Sequence, residues 1–142
     1  ASSVLEGEVL AAAGLTYTVQ FDEGLAVNNL DESAVVLAGQ ASGAQTATAF
    51  SYDVAASTLS VTYAGLVQDQ YRLTLVSGDQ ALEDLSGHDL DGEAAVVGTV
   101  PSGDGSVGGD FVVNFSVDLS GPRVVVRSGL IRAQVVPMSV LR

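Results

Sequence analysis

The chain contains no cysteine, no lysine and no tryptophan, and it has a single histidine among its 142 residues. Without cysteine, neither a disulfide framework nor a thiolate metal site can hold the fold, so the hydrophobic core must do so unaided. Without lysine, all positive charge rests on five arginines against seventeen acids, a formal net charge of −12. That balance argues against nucleic acid as a partner, because phosphate binding needs a basic surface. No apolar run approaches the roughly 20 residues of a spanning helix, so no membrane span is expected and the chain reads as soluble. No basic stretch followed by an apolar one opens the sequence; a secretion signal is either already removed or was never part of this fragment.

The same scarcities bear on catalysis. Aromatic residues make up only 6% of the chain, and the acids sit on turn segments, so nothing supplies the sugar-sized cleft that a glycosidic carboxylate pair requires. His88 shares a loop with aspartates, but no G-x-S-x-G elbow or similar signature accompanies it, and it reads as a turn residue rather than a base. No catalytic residue is assigned, and the chain is expected not to be an enzyme. The glycines at Gly103, Gly105, Gly108 and Gly109 do not make a phosphate loop, since the segment is acidic and leads into a strand rather than a helix.

What is present is alternation. In Leu15-Thr-Tyr17-Thr-Val19-Gln-Phe21-Asp22 the odd positions are apolar and the even ones polar. The pattern returns at Leu59, Val61 and Tyr63, at Tyr71, Leu73 and Leu75, and at Phe111, Val113, Phe115, Val117 and Leu119. A period of two puts one set of side chains on a core and the other in water, which predicts half-buried antiparallel strands. Turn signals separate them at Asp22 to Gly24, Val27 to Asn29, Gly39 to Gly43, Asp53 to Ser57, Gly78-Asp79 and the long stretch from Ser86 to Gly109. Short strands at this spacing predict an all-β sandwich. Only two brief helical turns are expected, at Asn29 to Ser33 before a strand over Ala34 to Ala38, and at Gln80 to Leu85. The aromatics, mostly at alternating strand positions, are expected in the core and not on a sugar platform.

Charge divides the chain. All seventeen acids lie between Glu6 and Asp118, whereas four of the five arginines (Arg123, Arg127, Arg132 and Arg142) follow Gly121. Residues 1–121 thus carry −16 and residues 122–142 carry +4, and the expected division is a sandwich over 1–121 and a basic strand segment over 122–142. Laid on the first residues with an offset of 126, the last ones place Leu130-Ile131 on Val4-Leu5 and Val135-Val136 on Val9-Leu10. If this is a true repeat, Gly121 to Val126 begins a following module and the equivalent strand before Ala1 is missing; chance coincidence of short apolar pairs is the alternative.

Several segments occur in an order that resembles a known family. Leu15-Thr-Tyr-Thr-Val-Gln-Phe-Asp-Glu looks like an "L-x-V-x-F-s-E" strand, and Asn29 to Gly39 like a short turn followed by "V-x-L-x-G". Phe50-Ser-Tyr-Asp to Thr58-Leu-Ser-Val-Thr-Tyr is similar to a central hairpin. Gln70-Tyr-Arg-Leu-Thr-Leu with Leu82 to Glu93 looks like "Y-x-L-x-L…D-x-x-G-N-x-L-D-G", and Phe111 to Val117 like a closing strand. Gly121-Pro-Arg-Val-Val-Val looks like the start of a next module. Together these resemble the bacterial immunoglobulin-like modules found in tandem in S-layer proteins, adhesins and very large secreted surface proteins. His88, and the insertion from Gly98 to Gly109, depart from the pattern. The resemblance implies an Ig-like antiparallel sandwich of about seven strands with Greek-key connections. It also implies a secreted or cell-surface location and a structural or adhesive role. Its partners would be neighbouring copies or adjacent modules, with a surface glycan or protein as ligand.

Two constellations carry the functional expectations. Asp84, Asp89, Asp91, Asp104 and Asp110, among flexible glycines, suit Ca²⁺, which takes six to eight oxygen ligands in adaptable geometry. An ordinary solvated acidic loop is the alternative. The second is Arg123, Val124, Val125, Val126, Arg127, Leu130 and Ile131, a basic strand-capable segment. A missing first strand would leave an open edge, an aggregation hazard that strand addition relieves. The added strand would be the chain's own, a neighbour's, or the beginning of the next tandem module. From a different class, the chain would be a carbohydrate-binding or calcium-rigidified accessory module of a secreted enzyme, the former requiring an exposed aromatic strip.

Overall fold

The computed structural model describes residues 2–125; residue 1 and residues 126–142 lie outside the described part. Eight strands form among the described residues: β1 (Glu8–Leu10), β2 (Leu15–Gln20), β3 (Val35–Gly39), β4 (Gly43–Ala44), β5 (Ala49–Asp53), β6 (Thr58–Tyr63), β7 (Asp69–Leu75) and β8 (Phe111–Val117). They assemble as one sheet in the order β1-β8-β7-β3-β4 and another in the order β2-β6-β5. The two sheets face each other as an Ig-like β-sandwich. The count exceeds the expected seven through the two-residue β4, which pairs with the end of β3. The β1–β8 pair is parallel and the other pairs are antiparallel.

Register follows from the alternation. Opposite Leu15, Tyr17 and Val19 of β2 stand Tyr63, Val61 and Leu59 of β6, all turned inward. The other sheet answers with Tyr71, Leu73 and Leu75 of β7 opposite Phe115, Val113 and Phe111 of β8. A slip of one residue would turn each set to water, which fixes the pairing. Tyr71 and Phe115 stack with ring centroids 5.6 Å apart. The Tyr71 hydroxyl donates to the Val67 carbonyl at 2.7 Å, so the buried ring leaves no polar atom unpaired. Leu119, the last apolar position of the β8 pattern, lies beyond the ladder and is exposed.

The expected helical turn before β3 is a 3-10 turn at Glu32–Ala34, capped by Asp31, whose carboxylate accepts from the Ser33 amide. Gln80 to Leu85 does not form the second turn. Leu82 is fully buried, and its neighbourhood bonds across the chain: its amide donates to Val76, and the Leu90 amide donates to Leu82. Burial of Leu82 thus outweighs the local helical preference.

The edge expected to be open is closed by the chain itself. Ser2 bridges to Val19, and the Ser3 amide donates to the Thr18 carbonyl at 2.9 Å, so the first residues lie along β2. The chain then crosses to the other sheet at Gly7, whose φ of +78° suits glycine, and continues as β1 alongside β8. A first strand is shared between the sheets in this way. Its two halves are held by Val4, buried in the core, and by hydrogen bonds from the Gly7 amide to Asn114 and from the Asp118 amide to Leu10. The Ser2 hydroxyl lies 2.9 Å from the Tyr17 hydroxyl. Burial pushes that phenol up to about 12 against the small opposing effect of the bond.

Candidate functional site

The predicted calcium ligands fall at the end of the sandwich where β2 and β7 finish and β8 begins, but they do not form one cluster among the described residues. Asp84 closes a turn. Its carboxylate accepts from the Ser86 amide at 2.8 Å, the His88 amide at 2.9 Å and His88 Nδ1 at 3.0 Å. These bonds, the His88 amide foremost, hold the Asp84 carboxyl below its ordinary value of 3.8. His88 is largely exposed and serves the same turn.

Asp91 is likewise committed to backbone, accepting from the amides of Asp104 and Gly105 at 2.9 Å each, and Asp104 accepts from Ser106. Beside them lies Glu93, whose carboxyl is raised above its ordinary 4.5 chiefly by a hydrogen bond with Asp104 and by that neighbour's negative charge. Asp110 accepts from the Ser77 amide at 2.9 Å, tying the end of β7 to the start of β8. Short acidic side chains in glycine-rich segments cap free N–H groups readily, which is why four of the five predicted ligands are occupied with loop architecture.

The fifth, Asp89, behaves differently. Its Oδ1 is buried and has no hydrogen-bond partner. Asp79, Glu83 and Asp89 each bring a carboxylate oxygen to within 4.8 Å of the others. Neither Asp79, which reads as a turn residue, nor Glu83 is among the ligands expected from the sequence. The bridges that gather the three, Ser77 with Leu82 and Glu83 with Asp89, link segments whose contact no local motif announces.

Around these loops runs a groove of about 830 Å³. Its floor is the end of the core, with Val19, Leu25, Leu75 and Phe111. Its walls carry six acids: Asp22, Glu23, Glu83, Asp84, Asp89 and Asp91. Val100 and Val107 stand exposed along it, and the exposed Leu85 leans toward Gly24. The groove is thus apolar below and strongly negative above.

Of the predicted assembly strand, Arg123, Val124 and Val125 are exposed and lie in no strand. Val126, Arg127, Leu130 and Ile131 lie outside the described residues. All eight aromatic side chains are buried or packed against the core, so none offers the exposed strip that a sugar-binding surface needs. Among the described residues, no helix is long and apolar enough to cross a membrane. Compared with known proteins, the chain matches no family model and no curated sequence.

Proposed function

We propose that this chain is a non-enzymatic structural or adhesive module of secreted or cell-surface proteins, arranged head to tail with further modules or copies. The observation that carries this reading is the placement of entry and exit. Ser2 pairs beside Val19 at the grooved end, whereas the chain leaves β8 at Val117 at the other end. At about 3.3 Å per residue, the seven residues of β8 separate those ends by about 20 Å. A sandwich entered at one pole and left at the other transmits a chain, or a load, along its long axis. The segment order that resembles bacterial Ig-like modules agrees with this role.

The test is assembly. Sedimentation velocity and electron microscopy of the full chain should show oligomers that lengthen with concentration, and loss of residues 122–142 should abolish them. A strict monomer with and without that segment would remove the assembling form of the reading.

A second reading, calcium rigidification, is favoured by the unpaired buried Oδ1 of Asp89 beside Asp79 and Glu83. Three carboxylates supply the hard oxygens that Ca²⁺ prefers, and the remaining coordination would fall to backbone carbonyls and water. A melting temperature that rises with Ca²⁺ over chelator, and an Asp89→Asn variant that no longer responds, is the expected result. Equal melting in both buffers rejects it.

A further inference from the structure

We infer that the acid-walled groove is the docking site for the basic segment 122–142 of a second copy of this chain. The inference rests on the head-to-tail reading and names the surface that receives the segment. Complementarity comes first. The groove sets four buried apolar side chains beneath six acids. The segment is its counterpart in sequence: four arginines and no acid, interleaved with Val124 to Val126, Leu130-Ile131, Val135-Val136 and Val140-Leu141. Both parts of this ligand find a match, the arginine heads in the six acids and the aliphatic bodies in the exposed Val100 and Val107 that line the groove.

Geometry selects the copy. The segment departs from the pole opposite the groove, so reaching its own groove means returning along the whole sandwich. The obvious return path, alongside β8, is already taken by β1, and the edge of β2 at Thr18 and Val19 is taken by Ser2 and Ser3. A second copy stacked pole to pole puts its groove next to the departing segment with no such obstruction. Because the contact joins two different surfaces, it repeats from copy to copy and yields rings or open filaments rather than a closed symmetric dimer. The outer flanks of β1, β4 and β5 are the competing acceptors for an added strand, but the acids within those strands are Glu8 and Asp53 alone.

Charge reversal in the full chain tests the inference, with association read by sedimentation velocity. One variant carries Asp22→Lys and Glu23→Lys, both exposed groove positions. The other carries Arg127→Glu, Arg132→Glu and Arg142→Glu. Circular-dichroism melts confirm that both are folded. Each variant alone should associate at least about tenfold more weakly than the parent at low salt, and an equimolar mixture should recover association as mixed pairs, because the unaltered six-acid groove of the segment variant then meets the unaltered four-arginine segment of the groove variant. Association of the parent should itself weaken at about 0.5 M NaCl.

Groove-reversed chain that associates like the parent overturns the inference. If the segment reversal alone abolishes association, the head-to-tail reading survives and the acceptor lies elsewhere; a cysteine pair placed at Ser51 and Ser128 then reports whether β5 is used. Two weakened variants whose mixture fails to recover also overturn the inference, since direct pairing requires rescue. A parent chain that is monomeric at every concentration overturns both.

Discussion

The split first strand makes a sharp prediction, because two valines five residues apart on it face opposite ways. Val4 is 1% exposed in the core and Val9 is 61% exposed. Truncating Val4 to alanine removes two buried carbon groups, worth roughly 0.8 kcal/mol each by transfer, and leaves a partly unrelaxed cavity. The expected loss is about 2 kcal/mol. Val9→Ala removes the same atoms from water-facing surface and should change stability by less than about 0.5 kcal/mol. For a domain of this size, about 2 kcal/mol corresponds to a fall of roughly 8 °C in melting temperature. Equilibrium urea denaturation with both variants measures the difference directly, with an unchanged slope showing that the unfolded reference is the same. Equal effects of the two substitutions would refute the argument. They would mean that residues 2–10 do not complete the sandwich, and that the edges of β2 and β8 are open to another strand.

Further outcomes follow from loop chemistry. Asp69 accepts from the Ser42 hydroxyl, from the amides of Ala41 and Ser42 in the β3–β4 turn, and from the Gln70 amide. The Ser42 bonds foremost lower its carboxyl to about 2. A lowered acid stabilises the fold above its unfolded value of 3.8 and loses that contribution as pH falls from there through about 2. Asp69→Asn should therefore flatten the acid limb of a stability-versus-pH curve in that window, and an unchanged limb would count against the cap. Glu93 has the opposite sign: raised above 4.5, it opposes folding increasingly as pH rises through that value. Glu93→Gln should melt higher than the parent at neutral pH and level with it in acid, and no gain at neutral pH would deny the repulsion with Asp104. Gly92 has no room for a side chain, since a Cβ there would strike the backbone at Gly109 to Phe111. Gly92→Ala should cost about 3 kcal/mol in urea denaturation, whereas Gly14→Ala, with only an ordinary contact to Tyr63, should be nearly silent. Similar losses for the two would contradict the packing of that loop.

Some of these features were open to sequence reading and some were not. The sequence itself determined the sandwich: alternation in β2, β6, β7 and β8 is a local property, and it dictates both the strand and the face that must be buried. It also determined the separation of an acidic body from a basic segment. The long acidic loops were recognisable as loops, but which carboxylates meet was not. Asp84, Asp91 and Asp110 look like ligands in a list of residues, yet the folded backbone presents each with N–H groups that claim it. Asp79 looks like a turn, yet long-range bridges deliver it to Asp89.

Only the tertiary structure decided where the first ten residues go. β1 has three residues and Ser2 makes a single bridge, too few positions for any period to show, and their partners lie more than a hundred residues away in β8 and across the sandwich in β2. The same holds for the poles. Periodicity says which side of a strand faces the core, but a strand's neighbours and direction are set by non-local burial. They alone place the chain's entry beside an acid-walled groove and its exit at the far end.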